Sequence, residues 1–527
     1  MSTQPPLDGG DRNGRRPRRS AAAIATPHRA ATEAGRDVLA AGGTAMDAAI
    51  TANATLAVVY PHMCGLGGDL FLLYFEAATG TVHCLNGTGP APALATPGAF
   101  ADRGLAEVPA RGPLSATVPG TVAAWEAARE RFGTRAPADL LGPAIAAAEE
   151  GTAITERLAG WIAQTADELR ADPVLRDLYL ARDGSAPRPA GDRLRQPALA
   201  RSLRRLATAG AADFHDGEIA AEIDRAMRAA GGLLRREDLA TYRPEWVTPL
   251  RMRHAGLELV TTPPNSQGVT ALVMLGHMAA AGAPGPGEPG YLDAFVAAKR
   301  HGFRLRDALV TDPAHMTVAP EELLAGAVPD GARDTVARPP GGDTVYLCTR
   351  DADGNACSLI QSLYYGFGSC CVAGDTGILL HNRAHYFSLG TDAVNVLAPG
   401  RRTLHTLMAS MALEDGRPRF VHGSMGADGQ PQFNVQVLHR LLAGASPAEA
   451  VAAPRVLHGR FALEDDPDTL HVEADYDVEP PAGLGRELEI VPPRSERMGH
   501  AHALAFEADG AVLAGADPRS DGSAEIV

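Results

Sequence analysis

Alanine-rich helical stretches early in the chain and a compact run of strands late in it predict a mixed α/β fold. Three observations carry this. HRAATEAGRDVLAAGG and TAMDAAITANATLAVVY both read as helices, with Thr44 placed to cap the second. DLFLLYFEAATGTVHCLN, entered through the glycines of PHMCGLGGD, reads as two strands joined at Ala-Thr-Gly. DTVYLCTRD, the tight turn DGN and ACSLIQSLYY form a second strand pair. The second helix is apolar on most sides and is expected to be buried.

Taken in order, the chain opens with MSTQPPLDGGDRNGRRPRRS, whose arginines precede only the short apolar patch AAAIA. Thr26 and Pro27 stop that patch before a signal-peptide core forms, and no run is long enough to span a membrane. Residues 1–27 are expected to be a disordered extension and the protein to be cytoplasmic. Residues 120–310 are mostly alanine, leucine and arginine at helical spacing. The segment 326–342, GAVPDGARDTVARPPGG, lacks periodicity and reads as a flexible loop ending at Asp343 and Thr344. Beyond the second strand pair come GFGSCC and a further strand at TGILLHN.

Composition excludes several functions. A chain of 527 residues with 45% hydrophobic and 21% charged residues can bury a deep core and build more than one domain-sized unit. Its formal charge of −15 gives a phosphate backbone no electrostatic help, so no nucleic-acid partner is expected. The six cysteines show no CxxC spacing and read as free thiols. His381 and His385 in HNRAH lack the glutamate of HExxH, so no metal is expected there, and His500 and His502 read as structural.

The arrangement around Thr344 points to chemistry. A loop that delivers a threonine to the first residues of a buried sheet suits a nucleophile released by cutting the chain in front of it. A free α-amino group, which ordinarily titrates at about 7.7 to 8.0, can act as general base for its own hydroxyl. Other schemes fit poorly. HGSMG around Ser424 is not a GxSxG elbow, and Gly65, Gly67 and Gly68 follow a helix and lack the third glycine of a dinucleotide loop. No cofactor is implied.

AGGTAMDAAI, PHMCGLGGD, VPGTVAAW, DTVYLCTRDADGNA, FGSCCVAGDTGILLHN, GSMGADGQPQ with the later APR, and GADPRSDG occur in an order that resembles the γ-glutamyltransferase family of N-terminal nucleophile hydrolases. The likeness runs from about residue 28 to the C-terminus. It implies an αββα sandwich made from one precursor that cleaves itself between Asp343 and Thr344. The helix-rich large subunit would be 28–343 and the small subunit 344–527, the two staying together and a dimer of such units being allowed. Carried over by position, Thr344 is nucleophile and base, Ser362 the hydroxyl partner of that threonine, and Gly426 and Ala427 the oxyanion turn. Alone, Ser362 would pass for a polar strand residue and GADG for an ordinary turn.

Departures from the family pattern bear on the substrate. Where relatives acting on glutathione place a carboxylate-binding arginine, GTGPAPA offers Thr88 and Pro90. Where they place an acid for the α-amino group, HNRAHYFS offers His385 and Tyr386, leaving no anion for an ammonium. His405 and Thr406 replace paired serines, and Tyr364 an asparagine. These changes imply a group other than γ-glutamyl. Arg383 is either an exposed loop arginine or a two-point clamp for a small carboxylate near the nucleophile, oxalyl-like. The pattern resembles the branch with oxamate amidohydrolase, cephalosporin-acylase-like members and carbon–carbon hydrolases of antibiotic pathways to alkylproline units. Three functions follow: a threonine hydrolase acting on a small amide or acyl substrate, the same nucleophile used on a carbon–carbon bond beside a ketone, or a non-catalytic homologue that binds a metabolite or partner.

Overall fold

The computed structural model describes residues 21–330, 343–390, 393–460, 466, 468–476 and 488–527. Among these, a seven-stranded and a six-stranded sheet lie face to face with helices on both outer sides. In chain positions the first sheet runs 523–526, 23–26, 343–350, 356–364, 69–76, 81–87 and 245–247; the second runs 512–516, 501–506, 417–424, 410–414, 257–261 and 250–254.

Alternation along the strands assigns the layers. In DLFLLYFE, Phe71, Leu73 and Phe75 enter the core between the sheets, against Val260, Met411, Val421 and Leu504. Leu70, Leu72 and Tyr74 point the other way, under the helix Ala45–Val59 and its neighbours. A third core lies between the second sheet and the helices Gly268–Ala280, Tyr291–Leu309 and Gln430–Leu442. The architecture is the αββα sandwich.

Thr44 caps Ala45–Val59 in a reciprocal capping box with Asp47, and every residue of that helix is buried, as its apolar sequence requires. The two strand pairs form at Asp69–Glu76 with Thr81–Gly87 and at Asp343–Arg350 with Ala356–Tyr364. Two expectations are corrected. Ala23–Thr26 is no part of a disordered extension: it is a buried strand between Ser523–Ile526 and Asp343–Arg350, with Ile24 in the core under the helices and Ala23 and Ala25 in the core between the sheets. The middle of the chain is mostly helical, as expected, and Glu245–Val247, Leu250–His254 and Leu257–Thr261 within it extend the two sheets. TGILLHN is not a strand: Gly374 and Gly377 turn the chain at positive φ, leaving only isolated bridges, Val372 to Leu379 and Gly67 to Leu380. Of the expected loop 326–342, residues 331–342 lie outside the described residues, as do residues 1–20 of the expected extension. No helix among the described residues is long and apolar enough to cross a membrane.

The APR and GADPRSDG motifs meet in a buried ionic cluster. Arg455 pairs with Asp517, and Arg519 with Asp517 and Glu473. Arg455 also donates to the carbonyls of Met498 (2.6 Å) and Gly499 (3.1 Å). That fixes the segment whose His500 carbonyl accepts the Met425 N–H at 3.0 Å, behind the turn at 426–427.

Candidate active site

Thr344 is buried and stands directly opposite Ser362, which stands opposite Asp69 on the next strand. The register slips by one residue between Ser362 and Tyr364, where Tyr364 adopts φ +80° and its N–H donates to Ser362 Oγ at 2.7 Å. A bulge of this kind re-aims a side chain. Here it sends the Tyr364 ring under Arg383, whose guanidinium carbon lies 4.2 Å from the ring centre. Asp343 opens the strand and pairs with Tyr364 across that bulge.

Arg383 lies in a short 3₁₀ turn, Arg383–Tyr386, and is fully buried, not an exposed loop arginine. Its Nη1 donates to Thr406 Oγ1 at 3.2 Å, while Nε and Nη2 meet no hydrogen-bond acceptor among the described residues. Burial lowers its pKa, opposed by the charge of Asp69. Tyr386 packs edge-on to Tyr364, ring centres 5.7 Å apart, and its hydroxyl donates to Asp428 Oδ1 at 3.2 Å. The expectation that no anion remains beside Tyr386 is therefore corrected. Asp428 arrives from a turn 42 residues away, although its charge is already paired with buried Arg306 at 2.8 Å.

Gly426 (φ +129°) and Ala427 (φ +46°) make a left-handed turn at the end of the strand Arg417–Ser424. A Cβ at 426 would lie 2.6 Å from the Phe433 ring, so only glycine fits there. No hydrogen bond among the described residues uses either N–H. Gln267 holds the turn by donating to the Ala427 carbonyl (2.8 Å) and the Thr406 carbonyl (2.7 Å). Arg306 in turn fixes the Gln267 side-chain oxygen at 2.7 Å.

His405 stands apart from the others. Its Nδ1 accepts the Leu407 N–H at 3.2 Å and its Nε2 faces Asp69 Oδ2 at 3.1 Å, so neither ring nitrogen is open to a substrate. His381 and His385 do not converge on a metal geometry. His381 faces Thr117 and Asp69, and His385 Nδ1 faces the Val108 carbonyl at 2.6 Å. The six cysteines are free thiols.

The γ-glutamyltranspeptidase family model matches residues 31–527. The chain belongs to the γ-glutamyltransferase family. It is 38% identical to the oxamate amidohydrolase proenzyme of Klebsiella pneumoniae, over 94% of this chain and 97% of that one. It is 37% identical to the glutathione hydrolase-like YwrD proenzyme of Bacillus subtilis, over 95% and 97%. Among solved structures, cephalosporin acylase from Bacillus halodurans superposes with a TM-score of 0.86 at 32% identity, covering 100% of this chain and 99% of that one.

In this γ-glutamyltransferase family member, register and contacts link Thr344, Ser362, Tyr364, Arg383 and Thr406 in series, Tyr386 packs on Tyr364, and Gln267 ties Thr406 to the turn at Gly426 and Ala427. Sequence reasoning missed Asp69, Gln267, Arg306 and Asp428. Asp69 follows the glycines of PHMCGLGGD, so an acid closing that run was a readable signal. Asp428 lies within GSMGADGQPQ but was not singled out there; Gln267 and Arg306 carry no local pattern, and their hydrogen bonds to the turn at 427–428 unite the three.

Proposed function

We propose that this chain is a self-processing threonine hydrolase acting on a small amide or acyl compound that carries its own carboxylate. The observation that carries the substrate assignment is Arg383: a buried guanidinium with two idle donors, stacked on the ring that follows the Thr344–Ser362 pair. Such a fork matches a planar carboxylate in two-point fashion. Tyr364 pairs with the residue just before Thr344, which puts the guanidinium on the nucleophile's side of the hairpin and suits a group whose carboxylate adjoins the attacked carbonyl, as in an oxalyl group.

Processing begins when Thr344 Oγ attacks the Asp343 carbonyl carbon. The C–N bond breaks, an ester forms, and water releases the Asp343 carboxyl, leaving residues 344–527 with a free α-amine. In turnover that amine takes the Thr344 hydroxyl proton as Oγ adds to the substrate carbonyl. The Gly426 and Ala427 N–H groups stabilise the oxyanion, and removing one such donor costs about 10² to 10³ in rate. The amine then protonates the leaving nitrogen, and water activated by the same amine hydrolyses the acyl ester.

The test is hydrolysis of oxamate, read as ammonia release and as an acyl adduct on the small subunit by intact mass. An adduct on Thr344 supports the reading. No turnover and no adduct in self-cleaved protein would remove the oxalyl-like class.

A further inference from the structure

Directly opposed residues of an antiparallel sheet share a face. The Asp69 carboxylate therefore shares a row, across three strands, with the Ser362 and Thr344 hydroxyls. That carboxylate is wholly buried, with a hydrogen bond at each oxygen. The Gly89 N–H reaches Oδ1 at 3.1 Å, while His405 Nε2 and His381 Nδ1 face Oδ2 at 3.1 and 3.3 Å. Burial alone would raise its pKa, but the two imidazoles hold it low.

The tautomer of His405 follows from its bonds. Since Nδ1 accepts from the Leu407 N–H, Nε2 carries the proton and donates to Asp69. Burial, with Arg383 beside it, keeps the ring neutral, its pKa down at about 3. The ring is thus an uncharged strut between the nucleophile-bearing sheet and the segment 405–407. The next residue, Thr406, is the single hydrogen-bond partner of the Arg383 guanidinium among the described residues.

We propose that His405, braced by Asp69, is a positioning residue that sets the Arg383 guanidinium relative to Thr344 through Thr406. This rests on the reading of Arg383 as the carboxylate clamp. Neither His405 nor Asp69 touches the reacting atoms; they act through the clamp. A displacement of about 1 Å in a positioning group can cost roughly 10² in rate.

The experiment compares oxamate with its neutral diamide, oxamide, on self-cleaved enzyme. Asp69→Asn would also remove a negative charge near the clamp and so favour an anion, which makes the neutral His405 the cleaner probe. His405→Ala is expected to lower kcat/KM on oxamate at least tenfold and on oxamide less than about threefold, with self-cleavage retained. In an Arg383→Ala background the same substitution is expected to add little, because the two act as a unit. Should His405→Ala not self-cleave, His405→Asn, which keeps an acceptor for the Leu407 N–H but is too short to reach Asp69, carries the same comparison. Equal losses on both substrates, or additivity with Arg383→Ala, would overturn the proposal while leaving the clamp intact. If Arg383→Ala itself leaves the ratio of oxamate to oxamide turnover unchanged, the clamp reading fails and the positioning role falls with it.

Discussion

The Arg383 guanidinium carbon lies 4.2 Å from the centre of the Tyr364 ring, and Tyr364 presents that ring from a positive-φ backbone at the bulge after Ser362. A desolvated cation on an aromatic face is worth about 2 kcal/mol. That only partly offsets the several kcal/mol that burying a cation costs. Asp69, Tyr386 and Asp428 contribute from a distance. The two idle donors remain the least satisfied groups of the site, and a bound carboxylate would satisfy both.

Self-cleavage is the first prediction. The 54.9 kDa chain should resolve into residues 1–343 and 344–527, and the small fragment should begin at Thr344 by N-terminal sequencing. Thr344→Ala should stay whole, since without the hydroxyl no ester can form. A small fragment beginning at any other residue would refute the assignment of Thr344.

Glutathione and γ-glutamyl anilides should be poor substrates. Thr88 is buried, its hydroxyl donating to Asn86 at 2.7 Å, and so offers no carboxylate clamp. The nearby Arg402 is already engaged by the Thr88 carbonyl (3.0 Å) and Glu245 (2.8 Å). Asp428, the acid beside Tyr386, is neutralised by Arg306 and so is a weak partner for an ammonium. A kcat/KM for glutathione at or above about 10⁴ M⁻¹s⁻¹ would mean the pocket is misplaced.

The cap at Thr44, the buried second helix and the two strand pairs were legible because each is written locally, in capping chemistry, periodicity and turn residues. Ala23–Thr26 was not, because four residues after an arginine-rich segment show too little pattern to mark a strand, and only the two flanking strands make it one. The row Asp69, Ser362, Thr344 was half legible: Ser362 and Thr344 sit on one hairpin, whereas Asp69 joins them by a register no local pattern encodes. His405 was legible as a pocket residue by position, but its role depends on Asp69, 336 residues away.

Acid should destabilise the fold through its buried histidines, five rings against the carboxyl of Asp307, which burial raises to about 6 and which works the other way over the same range. Burial holds His62 and His405 down at about 3, and His215, His422 and His502 at about 4. The unfolded chain takes up these protons near pH 6.5 while the folded chain refuses them. Stability is therefore full above about pH 6.5 and falls as the pH drops toward 4. Each ring contributes up to about 1.4 kcal/mol per pH unit once its unfolded counterpart is charged. Asp517, held at about 2 against burial by Arg455 and Arg519, loses its contribution only below about pH 4 and does not shape this window. Thermal melts should be level from pH 8 to 7 and drop between 6.5 and 5; a level Tm down to pH 5 would contradict the burial of these rings.

Arg383→Lys should keep the fold and self-cleavage yet lose most turnover of a carboxylate-bearing substrate. Lysine keeps the charge but gives up the planar fork, the stack on Tyr364 and the bond to Thr406. An acyl group held by one flexible ammonium loses part of the proximity advantage near Thr344, and kcat should fall by roughly 10². Self-cleavage is the internal control, because it uses the same hydroxyl on a carbonyl the chain itself holds in place. Cleavage kept with turnover lost assigns Arg383 to the substrate. Cleavage lost together with turnover means that the buried guanidinium supports the processing geometry. If both persist unchanged, two idle donors in a buried pocket have no bearing on the reaction, and the oxalyl-like class loses its main support.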